Sequence, residues 1–269
     1  MKKRTGAGLR EGLKPVGRVF AVYFKGVRRT RRVTVFYLLS LLPVMIAAMV
    51  RLSQFFSPRH IEGIYIFSNM IMGFYLQFLV LILALFFGTS ICSEEVEGRT
   101  LTYLTTRPVP KSAILVGKFS AYTLLIVLIT AAGVILSFII LNFGALLRLE
   151  SYGILFRDLG VLTLGLVCYS AFFTLIGTIL KKSILFGLIF SFGWENVIQY
   201  FPGSTQRFVI AHYLKSLLPP PATSRFSFLL FRLEPTPPAA AVAMLLGLSA
   251  VFLILACIIF SRKEYILEE

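Results

Sequence analysis

The sequence predicts an all-α fold that crosses a membrane several times. Hydrophobic residues make up 57% of the 269 residues, and the mean hydropathy is +0.85. Charged residues make up 14%, whereas soluble domains carry about a quarter. Several apolar runs exceed the roughly 20 residues that a helix needs to cross a bilayer. The runs are continuous rather than alternating, which argues against a membrane β-barrel. The composition therefore indicates a polytopic helical membrane protein.

Six apolar runs are predicted to be transmembrane helices. The second and third runs are longer than a perpendicular helix requires, so we expect them to tilt or to extend beyond the bilayer. The spans divide the chain into a basic N-terminal segment at 1–32, a six-helix transmembrane domain at 33–260 and a short tail at 261–269. The predicted spans are Val33–Val50, Ile64–Ile91, Ala113–Leu141, Asp158–Leu180, Ile184–Phe201 and Ala239–Phe260.

The basic residues are distributed unevenly along the chain. Eleven of the 27 lysines and arginines precede the first predicted span, where Glu11 is the single acid. With six spans, this segment shares one side with the 92–112 connector, the Lys181-Lys182 turn and the C-terminal tail. Cytoplasmic loops of membrane proteins carry such an excess of basic residues. We therefore expect a multi-pass protein of the inner (plasma) membrane with both termini in the cytoplasm. The net charge of +15 is explained by topology, and no nucleic-acid partner is expected.

The N-terminal segment carries an amphipathic pattern at residues 14–32. Phe20, Phe24 and Val27 recur at helical spacing, while most of the basic residues lie elsewhere on the helical wheel. This pattern favours an interfacial helix that contacts membrane lipid through its apolar face and anionic headgroups through its basic face. The alternative is a disordered basic leader that only fixes the topology.

The predicted outer loops differ in length. Arg51–Gly63 and Asn142–Arg157 are short, whereas Phe201–Pro238 is long and rich in proline. Within the long loop, Gln206–Leu218 is too apolar for a free loop and too short to cross the membrane. We expect this stretch to be helical and to lie on the outer leaflet or dip into it.

Glu195 is an acid within the fifth predicted span, beside the single tryptophan, Trp194. An ionisable residue at membrane depth indicates a functional role by default. Because it lies in the outer half of the span, two interpretations remain open. Glu195 either anchors the outer helices by pairing with Arg207, Asn196 or Gln199, or it takes part in substrate passage.

Small residues within the spans indicate close helix packing. Cysteines at the inner ends of spans or within them are interpreted as apolar packing residues rather than as a disulfide framework. Glycine and alanine in spans allow neighbouring backbones to approach closely. The residues concerned are Cys92, Cys168 and Cys257, and Ala131, Ala132, Gly133, Gly187 and Gly193.

The connector between the second and third spans carries a compact charged pattern. Three carboxylates are predicted to begin a short helix, where the positive end of the helix dipole favours them and Ser93 caps the first turn. Leu101 and Leu104 form one apolar edge, and Arg107-Pro108 ends the helix. The alternative is an ordinary solvated loop. The residues that carry the pattern are Glu94, Glu95, Glu97, Gly98, Thr100, Leu101, Leu104, Arg107 and Pro108.

This pattern, continued by Val109, Lys111 and Gly117-Lys118, resembles the connector of ABC transporter permeases of the type-2 exporter class. Two positions depart from that pattern, Arg99 between Gly98 and Thr100, and Pro110. The resemblance implies a coupling helix on the cytoplasmic face that docks on a separate ABC ATPase subunit. It also implies a second permease copy or a paralogue, and re-entrant helices between spans five and six.

No catalytic, metal or cofactor site is predicted in this chain. Gly117-Lys118 is followed by Phe119, and Ser112 stands five residues before the glycine, so the Walker A pattern is not met. ATP and Mg are therefore expected on the partner ATPase. The two histidines suggest no triad or metal cluster. The alternative functions are a stand-alone channel or secondary transporter, and then a membrane-embedded enzyme. Intramembrane charge pairs or inverted repeats would favour a channel or secondary transporter.

Overall fold

The computed structural model describes residues 5–27, 30–56, 63–97, 110–143, 149–180, 182–198, 204–219 and 236–262. Within these ranges every regular element is a helix, which confirms the all-α prediction. The α-helices are α1 Thr5–Val27, α2 Arg31–Phe56, α3 Gly63–Met70, α4 Val80–Glu97, α5 Lys111–Leu141, α6 Leu149–Ile179, α7 Ser183–Ile189, α8 Glu195–Val197, α9 Ile210–Leu217 and α10 Pro238–Arg262.

Three further helical segments have a different winding. Ile71–Leu79 is a π-helix that joins α3 to α4 without interruption, and Phe190–Trp194 is a π-helix that joins α7 to α8. Ser204–Phe208 is a 3₁₀-helix that precedes α9. π-Helical turns are rare and frequently lie at functional positions.

Among the residues that the structure describes, five helices are long and apolar enough to cross a membrane. They cover 32–53, 63–92, 111–141, 152–179 and 238–262, in agreement with the first four predicted spans and the last. The fifth predicted span is a helical stretch of fifteen residues, Ser183–Val197. At 1.5 Å per residue this stretch is about 22 Å long, which is less than the roughly 30 Å hydrocarbon core. The total of six spans therefore stays a prediction.

The fourth span begins earlier than the sequence predicts. α6 starts at Leu149, nine residues before Asp158, so much of the predicted outer loop at 142–157 is helical. The Arg157 guanidinium lies 3.1 Å from the Asp158 carboxylate, which is 1% exposed. Because each charge is offset by its neighbour, the helix continues through this pair.

The core lies among α4, α5 and α6, which all contact one another. α1 and α2 pack on α5, while α10 packs on α6 and α5. The outward faces of α2 and α10 leave large apolar side chains exposed, such as Met49 at 71% and Ile254 at 58%. Apolar surface on this scale is typical of a face that meets lipid or another protein rather than water.

A close backbone approach occurs at one of the predicted small residues. A Cβ on Gly133 would lie 2.9 Å from the carbonyl oxygen of Ser40 on α2, whereas one on Gly187 would collide with the Leu85 side chain on α4. Gly193 has no neighbouring atom within 4 Å in the described part of the chain. Gly133 therefore fits the expected role, whereas Gly187 makes room for a side chain and Gly193 makes no close contact there. Cys92 and Cys168 are buried, as expected of packing residues.

The amphipathic N-terminal helix is longer than predicted and packs on protein. α1 runs from Thr5, and its Phe20 and Phe24 rings stack with centroids 5.6 Å apart. Phe20, Tyr23, Phe24 and Val27 pack against the helical core. The apolar face that was expected in the acyl boundary thus contacts the bundle, because α5 provides an apolar surface beside it.

Candidate functional site

The connector follows α4 in the chain and precedes α5. α4 continues unbroken past Cys92 to Glu97, so Glu94, Glu95 and Glu97 occupy its last turns. The prediction that they begin a separate helix is wrong, because neither glycine nor proline interrupts the helix before Gly98. The side chains of these three acids lie outside what the structure describes, as do Gly98, Thr100, Leu101, Leu104, Arg107 and Pro108 entirely.

α5 begins directly after the connector. Pro110 is in an extended conformation, with φ −62° and ψ 136°, and its carbonyl oxygen accepts a hydrogen bond from the Ala113 N–H at 2.9 Å. The end of α4 and the start of α5 belong to helices that contact each other. The connector therefore joins two long helices that pack on each other.

Gly117 and Lys118 join α1 to α5 two turns after the connector. A Cβ on Gly117 would lie 2.8 Å from the Val19 side chain and 3.0 Å from the Val16 carbonyl oxygen. The Lys118 side chain is 1% exposed, and its Nζ lies 5.2 Å from the Tyr23 ring centroid and 5.6 Å from that of Tyr122. Such cation–π contacts stabilise a desolvated ammonium group. These two residues thus fix α1 against the first turns of α5.

A second polar site surrounds Glu195, where α6, α8 and α9 meet. Glu195 is 1% exposed, and its Oε1 accepts hydrogen bonds from the Tyr169 hydroxyl on α6 and from the Ala211 N–H at 2.8 Å. Ala211 lies in the first turn of α9, where backbone N–H groups have no partner within the helix. A carboxylate also stabilises the positive end of a helix. Glu195 therefore caps α9 and ties it to α6.

The other end of α9 is held by Lys215. Its Nζ donates a hydrogen bond to Gln77 Oε1 at 3.2 Å, and Gln77 lies in the π-helix Ile71–Leu79. Burial lowers the pKa of Lys215 from 10.5 to about 8, against the opposing effect of the Glu195 charge. α9 is thus attached to the second span at one end and to the fourth at the other.

A third attachment joins α9 to the segment before α10. His212, 2% exposed, lies with Nε2 3.0 Å from Thr236 Oγ1. The Thr236 N–H donates to Ser216 Oγ at 3.3 Å. The short outer helix therefore has polar contacts along its whole length.

The family of the chain follows from a comparison with family models. Residues 24–194 match the model described as ABC-2 family transporter protein. The chain belongs to the ABC-2 transporter family. No curated protein matches it. The matched region of this ABC-2 permease begins within α1, includes the connector and ends at Trp194, directly before Glu195.

The permease therefore has two candidate sites, the connector and the surroundings of Glu195. Sequence reasoning singled out both as candidates but missed three polar residues of the Glu195 site, Tyr169, Gln77 and Lys215. A lone lysine in the apolar run Gln206–Leu218 was the one available signal. Among the residues expected to pair with Glu195, Arg207 accepts the Tyr213 hydroxyl through its backbone oxygen at 2.9 Å. The Asn196 side chain and all of Gln199 lie outside the described residues.

Proposed function

We propose that this permease is the membrane subunit of an ATP-driven exporter and that residues 94–108 couple it to a separate ABC ATPase. ATP and Mg are bound by that partner subunit. The complete transporter contains a second copy of the chain or a paralogue, in the inner (plasma) membrane with both termini cytoplasmic. Glu195 acts at the opposite face, where it positions the outer helix.

The observation that carries the proposal is the attachment of the connector to two unbroken helices. α4 runs from Val80 to Glu97 and α5 from Lys111 to Leu141, and the two helices contact each other. A displacement of the connector is therefore transmitted along both helices into the core. Interfaces and packed cores switch between discrete arrangements, so a small shift at one end can change the whole bundle.

The position of the acids supports a partner at this face. Glu94, Glu95 and Glu97 lie in the last turns of α4, where the negative end of the helix dipole disfavours carboxylates by about 0.3–1 kcal/mol each. Local helix stability therefore does not account for them. Basic groups on an ATPase surface would offset that cost and orient the encounter.

α1 is expected to move together with the connector and α5. Because Gly117 brings α1 into close contact with α5, a movement of α5 carries α1 with it. The connector, the start of α5 and α1 therefore move together, which supports coupling through this end of the bundle.

The test replaces the apolar edge of the connector by charge. Leu101→Asp with Leu104→Asp places carboxylates in the proposed ATPase groove, and burying an unpaired charge costs several kcal/mol. The double variant is expected to insert into membranes normally but to lose co-purification with the ATPase and stimulation of its turnover. Glu97→Ala is expected to weaken coupling mildly, since charges at an interface rim contribute less than buried apolar anchors.

The matched control is Leu101→Met with Leu104→Met, which conserves volume and apolar character. This variant should retain complex formation and transport. If the double aspartate variant also retained both, the connector would be a solvated loop and the coupling role would be wrong.

A further inference from the structure

A cavity of about 590 Å³ opens between the first span and its neighbours, at the end that carries the basic N-terminal segment. The end of α1 and the start of α2 form one side. α4 forms the other, and single side chains of α5 and α7, Tyr122 and Ile184, complete the lining. None of the residues that line the cavity belongs to the connector or to the Glu195 site.

The walls of the cavity are apolar and aromatic. The Phe36 ring lies 5.3 Å from Phe86 and 5.2 Å from Phe87, and Phe87 lies 6.0 Å from Tyr122, measured between centroids. Along α2 the lining extends from Arg32 to Leu39, which corresponds to about 10 Å of helix. An apolar slot that extends this far along α2 suits part of an extended hydrocarbon chain.

The mouth of the cavity is polar and basic. Thr30 and Arg32 line it and are exposed. The site therefore combines the positive charge of Arg32 at its mouth with an apolar interior, and an anionic amphiphile has the complementary pattern. Basic pockets between transmembrane helices bind anionic lipid headgroups on this physical ground.

We propose that this cavity binds one anionic phospholipid from the adjacent leaflet. Its phosphate lies at Arg32 and Thr30, and one acyl chain lies against Phe36, Phe86 and Phe87. Because the lining comes from α1, α2, α4, α5 and α7, the bound lipid joins the N-terminal helix to the bundle. A zwitterionic lipid fits the apolar slot but lacks the net charge that the mouth favours.

The test measures lipid binding to the full-length chain by native mass spectrometry in detergent. Phosphatidylglycerol and phosphatidylcholine are titrated separately, and phosphatidylglycerol is expected to bind more tightly. Arg32→Gln should weaken phosphatidylglycerol binding about fivefold, which corresponds to the roughly 1 kcal/mol of one basic residue at an anionic surface. Arg32→Lys should restore most of that binding, since it keeps the charge. Arg51→Gln, at the other end of α2, is the charge control and should bind as the wild type does.

Filling the slot tests the position of the acyl chain. Leu39→Trp should abolish the preference for phosphatidylglycerol, whereas Leu38→Trp should not, because Leu38 is 61% exposed on the outside of α2. A phosphatidylglycerol probe with a photoreactive acyl chain should label peptides of α2 and α4 in the wild type and the Leu38→Trp variant only.

Two outcomes would overturn the proposal. One is the absence of a preference between the two lipids, either because both bind equally to the wild type or because Leu38→Trp and Leu39→Trp reduce the preference for phosphatidylglycerol equally. The other is the absence of labelling together with dissociation of a dimer by Leu39→Trp, which would show that a second copy of the chain covers the cavity.

Discussion

Glu195 holds three segments together through one carboxylate. Its Oε1 accepts both the Tyr169 hydroxyl and the Ala211 N–H, so its removal leaves two buried donors without that acceptor. An unsatisfied buried group costs about 1–3 kcal/mol. Glu195→Ala should therefore lower the thermal unfolding midpoint of the purified chain, and Glu195→Gln should lower it less because an acceptor oxygen remains.

A double-mutant cycle with Tyr169→Phe checks this prediction. Residues that share a hydrogen bond are expected to couple by about 0.5–3 kcal/mol. The combined Tyr169→Phe and Glu195→Ala variant should thus lose less stability than the two single variants added together. Strict additivity would mean that the two side chains do not stabilise each other.

Lys215 gives the outer helix a dependence on pH. Its folded-state pKa, about 8, lies below the ordinary value of 10.5, so the unfolded chain binds more protons between these values. The charge of Lys215 therefore opposes folding below about pH 8, and this cost is lost as the pH rises towards 10.5. The unfolding free energy of the wild type, relative to Lys215→Met, should increase between pH 7 and about pH 10.

Lys182 is the matched control because it is exposed. Lys182→Met removes the same charge at an exposed position, and its unfolding free energy is measured over the same range of pH. A constant difference between the wild type and Lys215→Met would show that Lys215 is fully solvated in the folded protein.

At the level of helices, the contact of α1 with α5 depends on the absence of a side chain at Gly117. A leucine there would meet Val19 and the Val16 carbonyl at 3.0 Å or less, and one of the helices must shift. Gly117→Leu should destabilise the protein by about 1–3 kcal/mol, as overpacking does. Trypsin should then cleave α1 at Arg18 and Lys25 more rapidly than in the wild type.

Gly160→Leu is the control for this change, since a Cβ on Gly160 has no neighbour within 4 Å. It should leave the trypsin pattern and the thermal midpoint nearly unchanged. If Gly117→Leu behaved in the same way, α1 would not be packed on α5 in solution.

The long apolar helices could be predicted from the sequence, whereas contacts between them could not. The third span, for example, was placed at Ala113–Leu141 and α5 covers Lys111–Leu141, because an uninterrupted apolar run leaves little choice of boundary. The fourth span was placed from Asp158, whereas α6 begins at Leu149, because hydropathy indicates the part of a helix that can lie in the membrane and not the residue at which the helix begins. The partners of Glu195 come from residues 16 and 26 positions away, and no local pattern specifies them.

For the whole molecule, the short fifth segment decides how many times the chain crosses the membrane. If Ser183–Val197 and the residues that follow it cross, Lys182 and Thr205 lie on opposite sides. Both are exposed, so each can be replaced by cysteine as a probe. Thr205→Cys should react with an impermeant thiol reagent from outside intact cells, and Lys182→Cys only after permeabilisation.

The native chain is the control for labelling, since Cys92 and Cys168 are buried and Cys257 is half-buried. Reaction of both engineered cysteines from the same side would show that the segment enters and leaves by one face. Reaction of Lys182→Cys alone from outside would reverse the predicted orientation.

The double attachment of α9 restricts how the spans can separate. Glu195 and Tyr169 hold its first turn, Lys215 and Gln77 hold its last, and the helix between them is only eight residues long. A helix of this length does not stretch, so α9 keeps the second span at a set distance from the fourth. If the second and fourth spans separate, the contacts at one end of α9 break before those at the other, while His212 and Ser216 still hold α9 to Thr236. The order in which these contacts break would make the movement directional, since α9 would then turn about the contacts that remain.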